Sequence, residues 1–329
     1  MIALDSAEAL PFIASRLGCA PEALTLTALG GGVSNLVYLI ETPTLRCVAK
    51  QALGKLRVEQ DWFCSPRRIH LEAAAMRALG PVLPAGAVPA LLFEDFESGI
   101  ICMQAAAAQA LPWKELLMRG EFDERPARVT GLLHAAWIRE SALRPEWGEE
   151  FGGVQTFVDL RLDPYFRSTA ARHPDLAGRF ASLENKCLQR RISLVHGDLS
   201  PKNLLVDGAA VTLIDHEVIH WGDPAFDAAF LTNHLILKAF YHGNQTPRLL
   251  ALARAYWDAL LGGIPAELAW IEQAAMEHLG GLMLARVDGK SPAEYLDEKL
   301  KAAVRGRARD LLANPPPDCE AAFERCLKS

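Results

Sequence analysis

The hydrophobic period changes once along this chain, near residue 104, and that change limits the fold more than any other feature. Before it, apolar residues come in short runs of strand length, at 24–29, 36–40, 45–50, 88–93 and 100–103. Gly30-Gly31-Gly32 and Pro43 separate the first three runs, as turns require. One helix is predicted among them. It starts at Pro66, carries Leu71, Ala75, Ala78 and Leu79 on one face, and stops at Gly80-Pro81. Beyond residue 104 the spacing turns helical over 113–119, 123–139 and 176–191, and again from Pro224 onward, interrupted by short β runs at 194–195, 204–206 and 211–214. The prediction is an α+β chain with two lobes. Residues 1–104 form a small antiparallel β lobe with one helix, and residues 105–329 a larger, mainly α-helical lobe.

Charge narrows the function. The 34 basic and 40 acidic residues leave a formal net charge of −6, which recruits neither nucleic acid nor an anionic membrane. A phosphate-bearing ligand would then need a local device: a lysine, a metal ion or a ring of backbone amides. Seven cysteines without a C-x-x-C pair argue against a disulfide framework or a cysteine zinc site and fit a reducing cytoplasm. No basic n-region followed by an apolar stretch marks a signal peptide. The longest charge-free run, residues 23–40, holds two threonines, three glycines, Ser34 and Asn35, too polar to cross a bilayer. A soluble cytoplasmic protein is expected.

The densest chemical signal is His196-Gly197-Asp198-Leu199-Ser200-Pro201-Lys202-Asn203, followed by Leu213-Ile214-Asp215. A loop between two β runs carries an Asp and, five residues on, an Asn; a second Asp ends the next strand 12 residues after the Asn. Phosphoryl transfer uses this set. One carboxylate, Asp198, accepts the proton of the attacking hydroxyl, while the amide oxygen of Asn203 and the carboxylate of Asp215 hold Mg²⁺ against the phosphates. Glu217 is left as a second metal ligand or a substrate contact. An HxD pair can also bind a catalytic metal, here with His216 and His220, so a metal-dependent hydrolase is an alternative. A nucleotide-binding pseudokinase without turnover is another.

The Asp-to-Asn interval matches the protein-kinase pattern H-R-D-L-x-x-x-N, but Gly197 replaces its Arg and Asp215-His216-Glu217 replaces D-F-G. With Gly222-Asp223-Pro224-Ala225-Phe226-Asp227, the segment 194–230 resembles the aminoglycoside phosphotransferase and choline kinase family of the protein-kinase-like superfamily. Residues 230–238 and Leu284-Ala285-Arg286 resemble its methylthioribose-kinase-like branch more loosely. The resemblance implies ATP (or GTP) and Mg²⁺ as cofactors and a small hydroxyl-bearing molecule as acceptor.

The first lobe supplies the other parts. Gly31, Gly32, Ser34 and Asn35 sit between two strands, where amides and a small hydroxyl would cover phosphates. Val48-Ala49-Lys50 ends the third strand much as V-A-I-K does, so Lys50 would neutralise the α/β-phosphates. Glu72 on the following helix is its expected ion-pair partner, with Glu59 and Asp61 as competitors. By resemblance, backbone groups from Gln104 to Ala106 would hydrogen-bond the base, His196 would brace the catalytic loop, and Arg286 would face the acceptor, with Trp221 as a further candidate wall.

Overall fold

The computed structural model describes residues 2–30, 34–57 and 61–327. Two compact units make up the chain: Met1–Ala110 with Thr212–Val218, and Leu111–Val211 with Ile219–Ser329. The first unit thus runs a little past residue 104 and also takes in a short stretch from much later in the sequence.

The first unit comprises α1 (Ala9–Leu17), β1 (Thr25–Ala28), β2 (Asn35–Glu41), β3 (Arg46–Ala52), α2 (Arg68–Leu79), β4 (Leu91–Asp95) and β5 (Ile100–Gln104). The strands form the expected five-stranded sheet in the order β1-β2-β3-β5-β4, antiparallel at every step. Both faces of the central strands are covered. Cys47, Ala49, Ile100 and Cys102 pack with Ile13 and Ala14 of α1, while Ala52, Ile101 and Met103 pack with Ile69, Ala73 and Met76 of α2. Double-sided burial explains why β5 reads as an unbroken apolar run rather than an alternating one. Helix α1 has no counterpart in the sequence prediction. Its N-cap, Glu8, makes no side-chain capping bond, so the usual start signal is absent. It ends at Gly18, whose φ of +69° suits glycine.

In the second unit, β6 (Leu111–Pro112) leads into α3 (Trp113–Met118), α4 (Glu124–Leu143), α5 (Trp147–Glu150) and α6 (Gln155–Phe157). A π-helical stretch, Val158–Arg167, precedes α7 (Ser168–Arg172) and α8 (Ala177–Gln189). Then come β7 (Ser193–Val195), β8 (Leu204–Asp207), β9 (Ala210–Leu213), whose last two residues belong to the first unit, and β10 (His220–Gly222). β6 pairs with β8 and β7 with β10, both antiparallel. The remaining helices are α9 (Pro224–His242), α10 (Thr246–Gly263), α11 (Trp270–Asp288), α12 (Glu298–Ala313) and α13 (Cys319–Leu327). Helix α4 packs on α10 so closely that a Cβ at Gly131 would run into the carbonyl of Tyr256. Among the described residues, no helix is long and apolar enough to cross a membrane.

Candidate active site

Period two places Lys50 on the α2 face of β3, alternating with Cys47 and Ala49 on the other. On α2, Ile69, Glu72, Ala73 and Met76 share the stripe that faces the sheet. The two patterns bring Lys50 and Glu72 together. The Lys50 ammonium donates to both oxygens of Glu72, at 2.9 and 2.7 Å, and to Oδ1 of Asp215 at 2.7 Å. Glu59 lies outside the described residues, and the other competitor, Asp61, pairs with Lys55. Burial alone would weaken the ammonium, but Asp215, Glu72 and Glu217 hold its pKa above the ordinary lysine value. Burial also pushes the Glu72 carboxyl up to about 7, with Asp215 and Glu217 reinforcing and Lys50 opposing the shift.

Asp215 is the one described non-glycine residue with positive φ, +68°. Asp tolerates this left-handed conformation better than most residues, at a cost of about 1–3 kcal/mol. Here the surrounding bonds hold it. Among the three carboxylates of this unit's site, Asp215 keeps a side chain 22% exposed, against 1% for Glu72 and 5% for Glu217. Asp215 is thus the open carboxylate of the three, and a hard divalent cation needs only one or two protein oxygens.

Glu217 is engaged differently. Its Oε2 accepts from Asn35 Nδ2 and from Arg68 Nε, both at 2.9 Å. Arg68, fully buried on the first turn of α2, also donates to the carbonyls of Ser34 (2.5 Å), Leu53 (3.0 Å) and Ser65 (3.0 Å). One guanidinium thus ties the end of the glycine turn, α2 and the 215–217 segment together. Of the glycine turn, Gly31 and Gly32 lie outside the described residues. Ser34 Oγ accepts from Asn35 Nδ2 at 3.0 Å. At the expected base-binding edge, Gln104 N–H donates to Ala90 and the Ala106 carbonyl accepts from Arg46. The Ala106 N–H donates to no partner among the described residues.

The second unit carries the His196–Asn203 loop. Asp227, fully buried on α9, accepts from the N–H groups of His196 (2.6 Å) and Gly197 (2.9 Å), and burial pushes its carboxyl up to about 7 against those two bonds. His196 Nδ1 accepts from the Asp198 N–H at 3.2 Å, so this histidine braces the loop. Gly197 has φ of +75°, which explains why glycine stands where the kinase pattern has Arg. Asp198 is buried, and its Oδ2 meets Arg161 Nη2 at 2.8 Å and Lys202 Nζ at 2.9 Å. Arg161 also donates to the Gly197 carbonyl at 2.6 Å. The two cations fix the carboxylate in orientation. Asn203 Nδ2 donates to the Asp198 carbonyl at 2.9 Å, leaving Oδ1 as the amide's oxygen donor.

Arg161 was not a sequence candidate. It lies 36 residues before its Gly197 partner, in the π-helical stretch interrupted by Pro164, where no periodic pattern marks it. The two acceptor candidates have different partners. Trp221 Nε1 donates to the Arg191 carbonyl and its indole lies over Gly148, whereas Arg286 Nη1 donates to Ser291. Histidines 216 and 220 do not assemble a metal cluster: among the described residues no three His, Cys, Asp or Glu side chains gather to hold an ion.

Residues 25–271 match the model of the phosphotransferase enzyme family, three quarters of the chain. The chain belongs to that family. Among curated phosphotransferases it is similar to rice methylthioribose kinase 2, 24% identical over 261 residues, covering 71% of this chain and 61% of the relative. Similarity to the methylthioribose kinase of Bacillus pumilus is 25% over 262 residues, covering 71% and 66%. The chain thus spans about three fifths of the length of the rice relative. Among solved structures, the amicoumacin kinase hAmiN in complex with AMP-PNP, Ca²⁺ and Ami shares the fold, with a TM-score of 0.55, 15% identity and coverage of 91% and 90%. The α+β, protein-kinase-like expectation therefore stands.

Proposed function

We propose that this chain transfers the γ-phosphoryl of ATP (or GTP) to a hydroxyl of a small molecule. The observation that carries the proposal is the buried ammonium of Lys50 held by both oxygens of Glu72 and by Asp215. A lysine fixed by two carboxylates on rigid elements is pre-positioned for phosphate oxygens, and a solvated strand-end lysine has no need of such partners. Membership of the phosphotransferase family and relatives named methylthioribose kinase support the same chemistry.

In this proposal Asn203 and Asp215 would hold Mg²⁺, which when bound neutralises charge on the phosphates. Glu217, engaged by Arg68 and Asn35, acts as the group that sets the 215–217 segment in place rather than as a ligand. Asp198 orients the acceptor hydroxyl and takes its proton. In a loose phosphoryl-transfer transition state catalysis is mainly positioning, and Arg161 and Lys202 hold this carboxylate in one orientation. Ser34 and Asn35 would border the phosphates and the Ala106 N–H the base.

The test is ATP-dependent phosphate transfer to a panel of hydroxyl-bearing metabolites, with wild type beside Asp198→Ala and Asp215→Ala. Transfer is expected for wild type and its loss in both variants; acceptor-dependent transfer that survives both would overturn the proposal.

A further inference from the structure

Helix α9 carries Phe230, His234 and Lys238 at i, i+4 and i+8, hence on one face. The near end of that face adjoins the catalytic loop: the Arg161 guanidinium, which holds Asp198, lies 5.9 Å from the centre of the Phe230 ring. Phe230 and His234 meet edge to face at 5.2 Å. At the far end Lys238 is 1% exposed, and its Nζ reaches only the His234 carbonyl, at 3.4 Å, and the face of Tyr295, at 5.4 Å. Among the described residues no carboxylate pairs with it.

The surroundings make matters worse for a buried cation. Lys114 and Arg286 add positive charge, and the one opposing carboxylate, Glu294, is already paired with Lys114. Arg286 is itself buried, with Nη1 on Ser291 and Nε without a partner, and the buried Tyr295 hydroxyl also lacks one. The charges of Lys238, Arg286, Lys202 and Lys114 all bear on His234. A buried ammonium without a counter-charge is costly, and two further cations beside it add to the cost. Donors left over at the same place point to a missing anion.

We infer that Lys238, Arg286 and Tyr295 form an oxyanion subsite, and that the acceptor is a hydroxyl-bearing acid whose carboxylate or phosphate docks there while its hydroxyl meets Asp198. The distance suits a small metabolite. Eight residues of helix span ~12 Å, and Lys238 folds back about one turn along the face. Cationic acceptors such as aminoglycosides or choline would be repelled.

This inference rests on the phosphotransfer proposal for the place of the hydroxyl, so the experiment separates the two. Wild type loaded with AMP-PNP and Mg²⁺ is titrated at pH 6.5 with gluconate, glycerol 3-phosphate and inorganic phosphate, and with glucose, glycerol and choline, following melting temperature. The same acids and neutral partners are assayed for phosphate transfer. Stabilisation by acids only, weakened tenfold or more in Lys238→Met and in Tyr295→Phe, supports the subsite; gluconate against the phosphates identifies the preferred oxyanion. Tyr295→Phe keeps the test open if Lys238→Met alters folding. Absence of stabilisation by every acid, equal stabilisation in the variants, or a stronger response to choline overturns it. Acid binding that depends on Lys238 without any transfer supports the subsite and overturns the phosphotransfer proposal.

Discussion

Arg68 and Glu217, 149 residues apart in sequence, meet through a 2.9 Å bond from Nε to Oε2 with both side chains buried. Because the same guanidinium donates to the Ser34, Leu53, Cys64 and Ser65 carbonyls, loss of Arg68 would strand one buried charge and leave four acceptors without this donor. Breaking a buried pair on one side costs about 3–5 kcal/mol. Arg68→Met should therefore lower the melting temperature strongly. Glu217→Gln keeps an acceptor for Arg68 and should cost less. If Glu217 only positions its neighbours, Mg²⁺ titration of ATP turnover in Glu217→Gln will keep its midpoint while kcat falls; a large rise in the Mg²⁺ requirement would instead make Glu217 a ligand.

Asp198 and Arg161 should separate chemistry from placement. Asp198→Asn removes the proton acceptor and is expected to reduce kcat by about 100-fold or more. Arg161→Met leaves the carboxylate but frees it to turn, so kcat should drop by up to about 100-fold while the KM for ATP holds. Steady-state kinetics with both substrates varied will show the split.

Gly197 is constrained by its φ of +75°. Gly197→Ala forces an L-residue into the left-handed region, for about 1–2 kcal/mol, and disturbs the bonds that its N–H and carbonyl make to Asp227 and Arg161, next to Asp198. A modest fall in melting temperature with a disproportionate loss of kcat is expected. Unchanged kcat would mean that this loop geometry is not catalytic.

Burial, then the charges of Lys114 and Arg286, lower the Lys238 pKa to about 7, with Glu294 opposing. The unfolded chain keeps its proton up to the ordinary lysine value of 10.5, so between pH 7 and 10.5 it binds more protons than the folded chain. Wild type should gain stability over Lys238→Met as pH rises through that window, with no such gain below pH 7. His234, whose own pKa burial and these cations depress, stays neutral across the window. Melting curves from pH 6 to 10 measure the difference.

Spacing made part of this molecule legible. Lys50 and Glu72 follow from alternation on β3 and a helical stripe on α2, because each element orients its residues by period alone. The His196–Asn203 loop was legible as a motif. Arg161 and Arg68 were not, since their roles arise from contacts across 36 and 149 residues, and an arginine on a helix reads as solvated until its partner is in place. Lys238 was hidden for a similar reason: one lysine at the end of an apolar helix face looks like an edge residue, yet it is buried.

The excursion of Thr212–Val218 into the first unit sets an order of events during synthesis. When residue 110 emerges from the ribosome the five strands are all available, but Lys50 and Arg68 still lack Asp215 and Glu217. Those partners arrive only after a further hundred or so residues have been made. Until then the nascent unit carries two interior cations with incomplete neutralisation, and a stall anywhere in that interval would release a fragment whose sheet is whole and whose charges are not. A cut after residue 110 would give the same fragment, because it leaves Thr212–Val218 on the other piece.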